Sequence, residues 1–112
     1  MSSTKFDTSI FEERAAEVAS ILRALSNERR LMILCKLVET GEATVTSLAE
    51  DVGLSQSAIS QHLAKMRYEK IVTFRRDAQV LWYRICDPRI EKLFETLHLL
   101  FCRPPKRRSL RS

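Results

Sequence analysis

Apolar residues recur along this chain with a helical period, then for one stretch with the composition of strands, then with a helical period again. Phe11, Ala15, Val18, Leu22 and Leu25 return every three or four positions and predict a first helix. Ser26-Asn27 offers an N-cap for a second helix, Glu28 to about Thr40, and Gly41 is suited to end it. Leu31, Leu34 and Val38 form the main stripe of that helix, with Cys35 at its edge. Thr44-Val45-Thr46 reads as a short extended piece, after which Thr46 caps a brief third helix over 47–51. Ser47 and Glu50 there also have the spacing of a capping box. Gly53 suits the left-handed turn that often ends a helix, and Ser55 caps a fourth helix to about Tyr68. Two helices joined by a tight glycine turn give the outline of a helix-turn-helix.

Beyond Tyr68 the pattern changes. Residues 71–76 and 80–86 are rich in β-branched and aromatic side chains, with Asp77-Ala78-Gln79 between them, and predict a β-hairpin with a charged tip. Asp87-Pro88 then starts a last helix, with Asp as N-cap and Pro in its first turn. Ile90, Leu93, Phe94, Leu97 and Phe101 form its apolar stripe, and Pro104-Pro105 stops it just after Cys102. The order α-α-α-α-β-β-α is that of a mainly helical winged helix-turn-helix. Residues 10–102 form the domain, between a loose N-terminal tail (1–9) and a basic, disordered tail (103–112).

The fourth helix has two unlike faces. Ile59, Leu63 and Met66 mark the buried stripe, while Gln56, Ser57, Ser60 and Gln61 lie opposite, beside the small Ala64. An ordinary solvated face would be dominated by Lys and Glu. Uncharged groups that both donate and accept suit the edges of DNA bases. These four are the candidate DNA-reading residues. Lys65 and Arg67 are weaker candidates for phosphate, with a plain surface role as the alternative. Arg75 and Arg76 are better ones, because a protruding basic wing has little packing reason to exist. Gln79 reads as a turn residue, and His62 lies toward the buried side.

Composition narrows the function classes. At 112 residues the chain is one domain with a modest core, which favours dimerisation. The net charge of +5 comes entirely from Arg103, Lys106, Arg107, Arg108 and Arg111 in the tail. Within the neutral remainder, residues 55–85 carry Lys65, Arg67, Lys70, Arg75, Arg76 and Arg84 against Glu69 and Asp77. DNA phosphates favour such a local basic zone. With no secretory leader and no apolar run of transmembrane length, a soluble, cytoplasmic protein is expected, away from membranes. With no CxxC, no Gly-rich phosphate loop and no clustered acid–base residues, neither an enzyme nor a cofactor is expected. The polar face and basic wing also argue against a module used only for protein–protein contact.

Residues 18–102 resemble the ArsR/SmtB family of bacterial transcription regulators. The matching segments are Ala24-Leu25-Ser26-Asn27-Glu28-Arg29-Arg30-Leu31, the block from Leu54 to Leu63, and Arg75-Arg76-Asp77-Ala78-Gln79 with Trp82-Tyr83. The resemblance implies a homodimer built by the first and last helices. It implies a fourth helix in the major groove of a palindromic operator, and a wing on the backbone or minor groove.

Two metal patterns of that family are missing. A cysteine box of the Glu-Leu-Cys-Val-Cys type is replaced by Glu42-Ala43-Thr44-Val45-Thr46, without the thiolates a soft metal needs. In the last-helix pattern Asp87 is present, but Arg89, Leu100 and Arg103 stand where other ligands would be. His98 on that helix is alone. No metal site is expected.

Cys35, Cys86 and Cys102 read, on the residues alone, either as small hydrophobes or as redox-active thiols. The resemblance is more specific. The dithiol BigR/SqrR/HlyU-like branch has a cysteine after Arg-Leu-x-Ile-Leu on the second helix and another at the end of the last helix. Cys35, in Arg30-Leu31-Met32-Ile33-Leu34-Cys35, and Cys102, in Leu100-Phe101-Cys102, match both. The implied function is a repressor released from its operator when this pair is linked by oxidation or by reactive sulfur species. The alternative is a DNA-binding regulator with no thiol or metal effector. Cys86 reads as packing.

Overall fold

A computed structural model describes residues 8–102. Its elements are α1 (Thr8–Leu25), α2 (Glu28–Thr40), α3 (Val45–Val52), α4 (Gln56–Tyr68), β1 (Val72–Asp77), β2 (Val80–Ile85) and α5 (Pro88–Leu97). A π-helical segment, His98–Cys102, continues from α5. The described architecture is that of a winged helix-turn-helix. Residues 1–7 and the expected basic tail, 103–112, lie outside the described residues.

The chain divides into two compact units, one ending at Leu31 and one beginning at Met32. The first holds α1 and the opening turn of α2. It starts at Thr8, ahead of the Phe11 start that the apolar period indicates. Of the expected α1 stripe only Leu25 is buried, while Phe11 and Leu22 remain 58% and 53% exposed. Asn27 caps α2, its Oδ1 accepting from the N–H groups of Arg29 (3.0 Å) and Arg30 (3.1 Å). Arg30 is a buried charged side chain, and its Nη1 donates to the Ala24 carbonyl near the end of α1 at 2.6 Å. One of the carbonyls that a helix end leaves unsatisfied thereby gains a donor.

In the second unit α2 buries Ile33, Leu34 and Leu37, so the expected stripe is corrected: Leu31 is exposed and Val38 only half-buried. Leu48, Ile59, Leu63, Met66, Val72, Tyr83, Ile85, Ile90 and Phe94 are also buried in the core. β1 and β2 form an antiparallel hairpin with Val72 opposite Ile85 and Asp77 opposite Val80. Its two-residue turn places Ala78 at φ 57, the positive value that primed hairpin turns require.

The third helix is also corrected. It begins at Val45, and its cap is Thr44, whose Oγ1 accepts from the Ser47 N–H at 3.1 Å. The cause is non-local. Ala43 bridges Tyr83 in an antiparallel pair, so the extended segment ends there and Thr44 already has cap geometry.

Candidate nucleic-acid interface

The helix-turn-helix is built by local rules. Gly53 ends α3 at φ 80, and its N–H donates to the Ala49 carbonyl at 2.9 Å. Ser55 then caps α4, its Oγ accepting from the Ala58 N–H at 3.0 Å. Ile59, Leu63 and Met66 are fully buried, which fixes the rotation of α4 about its axis. Gln56, Ser57, Ser60, Gln61, Ala64 and Lys65 are therefore exposed together, and His62 is half-buried at the border. All four uncharged candidates share one accessible arc.

Tyr68 belongs to the same arc and was not singled out from the sequence. It stands four residues beyond Ala64 and seven beyond Gln61, and it is 87% exposed. That spacing is the signal that could have found it.

The C-terminal end of α4 closes with a double turn. Lys70 N–H donates to Arg67 O at 3.0 Å and Ile71 N–H to Met66 O at 2.9 Å, the pattern of a Schellman cap. Lys70 occupies the left-handed position, at φ 65, that glycine usually fills.

The basic candidates differ in their surroundings. Arg67 lies over the Phe74 ring, 4.3 Å from its centroid, and Phe74 packs edge-on against Tyr83 at 5.3 Å. Arg75 is held by Glu42 through two bonds, Nε to Oε2 at 2.8 Å and Nη2 to Oε1 at 3.0 Å. The Arg75 hydrogen bond, followed by the charges of Arg75 and Arg84, holds the Glu42 carboxyl below its ordinary value. Arg76 is exposed and forms no ion pair with any described residue. Arg75 has a structural partner that the sequence pattern did not reveal.

The positions compared with metal patterns have other work. Glu42 holds Arg75, Thr44 caps α3, and Asp87 caps α5 while pairing with Arg89 at 3.1 Å. Among the described residues no group of three or more His, Cys, Asp and Glu is arranged to hold a metal ion.

Cys35 is half-buried on α2, and Cys86 is exposed, its Sγ donating to the Lys70 carbonyl at 3.3 Å. Cys102 ends the π-helical segment, and its side chain lies outside the described residues. Beside Cys35 on α2 runs a short charge network. Lys36 Nζ pairs with Glu39 at 2.8 Å and lies 3.8 Å from Asp51, while Glu39 lies 3.7 Å from His98 Nε2. The hydrogen bond from Lys36 is the main reason that the Glu39 carboxyl sits below its ordinary value. Among the described residues no helix is long and apolar enough to cross a membrane.

Residues 27–73 match the bacterial regulatory proteins of the arsR family. The chain is 41% identical over 91 residues to the transcriptional activator HlyU of Vibrio cholerae serotype O1, covering 81% of this chain and 83% of that protein. It is 39% identical over 95 residues to the biofilm growth-associated repressor of Xylella fastidiosa, covering 85% and 82% respectively. The crystal structure of the transcriptional repressor BigR from Xylella fastidiosa superposes with a TM-score of 0.77 at 36% identity, over 88% of this chain and 100% of that one.

Proposed function

The chain belongs to the arsR family of bacterial regulatory proteins, and from that membership we propose that it is a homodimeric repressor of transcription acting on a palindromic operator. The observation that carries the DNA-binding reading is the exposed, uncharged polar arc of α4, held outward by the buried Ile59, Leu63 and Met66. Gln56, Ser57, Ser60 and Gln61 are the residues for base edges and nearby phosphates, with Lys65, Arg67 and Arg76 as the surrounding cations and Arg75 engaged by Glu42. A second copy is supported by apolar side chains left in water. Ile10, Phe11 and Leu22 of α1 are exposed, as are Leu99, Leu100 and Phe101 of the π-helical segment. A two-fold dimer presents two α4 helices to successive major grooves.

The control step is a link between Cys35 and Cys102. Two thiols form one disulfide with loss of two protons and two electrons, which a peroxide or polysulfide accepts as its own O–O or S–S bond breaks. The Glu39–His98 contact supports this pairing. Cys35 lies one turn before Glu39 on α2, and Cys102 lies four residues beyond His98. Such a link acts on DNA affinity only by favouring one of two conformations.

The test is a titration of duplex DNA from upstream of the protein's own gene, first with reduced protein and then after polysulfide, peroxide or zinc. Release after polysulfide or peroxide, absent in Cys35→Ser and Cys102→Ser, is the expected result. Unchanged binding throughout favours a regulator without a thiol effector. Failure to bind any duplex contradicts the DNA-binding reading.

A further inference from the structure

Glu42 and Arg75 meet on the outer face of the wing. The Ala43 N–H donates to the Tyr83 carbonyl at 3.0 Å, and the Tyr83 N–H to the Ala43 carbonyl at 2.8 Å. Successive side chains of extended backbone alternate between faces, so Glu42 falls on the face of Trp82 and Arg84, opposite to that of Ala43 and Tyr83. Arg75 is the register partner of Trp82 and shares that face. The Glu42 carboxylate therefore reaches across β2 to the guanidinium, which lies 5.6 Å from the centroid of the Trp82 ring.

A guanidinium binds phosphate through the same forked edges with which it binds carboxylate. The Nε–Nη2 edge of Arg75 is filled by Glu42, and Nη1 lies 4.0 Å from Asp77 Oδ2. Glu42 and Asp77 offset the charges of Arg75 and Arg84, so this face is electrically balanced rather than basic. A DNA phosphate gains Arg75 only by displacing a carboxylate.

We propose that Glu42 is an intramolecular competitor of DNA phosphate for Arg75 and so sets the backbone affinity of the wing. The inference rests on the DNA-binding reading above. In the resting arrangement Arg76 supplies the phosphate contact of the wing and Arg75 is withheld.

The test compares the full-length wild type with Glu42→Gln, Arg75→Gln and the double variant. Each is titrated across a salt series with the upstream duplex and with a random-sequence duplex of equal length. Glu42→Gln is expected to bind both duplexes about 2- to 5-fold more tightly per protomer, the range set by exposed ion pairs. Its salt slope steepens by about 0.9 per protomer, one additional phosphate contact. Arg75→Gln alone changes little, and the gain from Glu42→Gln vanishes in the double variant. A gain of the same size in the Arg75→Gln background is general charge attraction and overturns the proposal. Unchanged or weaker binding by Glu42→Gln overturns it too, as does a clear loss in Arg75→Gln alone. Those outcomes leave the DNA-binding reading intact, whereas a wild type that binds neither duplex overturns both.

Discussion

The guanidinium of Arg67, in the last turn of α4, lies 4.3 Å from the ring centroid of Phe74 on β1. A side chain of the candidate reading helix is thereby stacked on the wing, and Phe74 passes the contact on to Tyr83. Arg67→Ala removes one cation–π contact, of about 0.5–1 kcal/mol at a partly exposed site. The expected result is a small loss in chemical-denaturation midpoint together with weaker DNA binding. Arg67→Lys keeps the charge but not the flat stacking surface, so it loses stability while retaining most of any phosphate contribution.

Lys70 pays a conformational cost at the end of α4, because a side chain with a Cβ at φ 65 is crowded by its own backbone. Lys70→Gly removes that crowding while leaving both cap hydrogen bonds in place. The expected effect is stabilisation by about 0.5–1 kcal/mol, partly offset by the greater freedom of glycine in the unfolded chain. Thermal unfolding of the two proteins side by side measures it. A destabilised Lys70→Gly variant would show that the lysine side chain contributes more than its backbone conformation costs.

Three described carboxyls are expected to lower stability as they are protonated at acid pH. The Lys36 hydrogen bond lowers Glu39 and the Arg75 hydrogen bond lowers Glu42, both from an ordinary 4.5. The Arg89 hydrogen bond lowers Asp87 from 3.8. A depressed folded-state value means that the unfolded chain binds protons first as pH falls. Their contribution is complete above pH 4.5 and is lost as pH drops through the lower folded-state values. Urea midpoints from about pH 3 to pH 7 should fall only at the acid end. Glu39→Gln and Glu42→Gln should each flatten that fall.

The helix-turn-helix was legible because its determinants are local: the Ser55 cap, the Gly53 turn and the Ile59, Leu63, Met66 row all lie within a few residues of one another. The hairpin was legible for the same reason, and the family resemblance rested on these segments. What escaped depended on partners distant in sequence. The α3 cap is Thr44 because Ala43 pairs with Tyr83, and Arg75 is occupied because Glu42 lies across the sheet. Arg30 escaped for a different reason. The buried row of α2 runs through Arg30, Ile33, Leu34 and Leu37, and because Arg30 is charged the apolar pattern points instead through Leu31. Its place is made tolerable by the Ala24 carbonyl, which the helix pattern does not announce.

The exposed arc of α4 is proposed to read base edges, and Gln61→Ala removes one of its reading groups. Wild type and variant are titrated against the upstream duplex and a random-sequence duplex at matched salt. A lost side-chain contact to a base is expected to weaken specific binding by about 1–3 kcal/mol, roughly 5- to 150-fold, while random-sequence binding stays the same. Equal loss on both duplexes, or no loss on the upstream one, would contradict it.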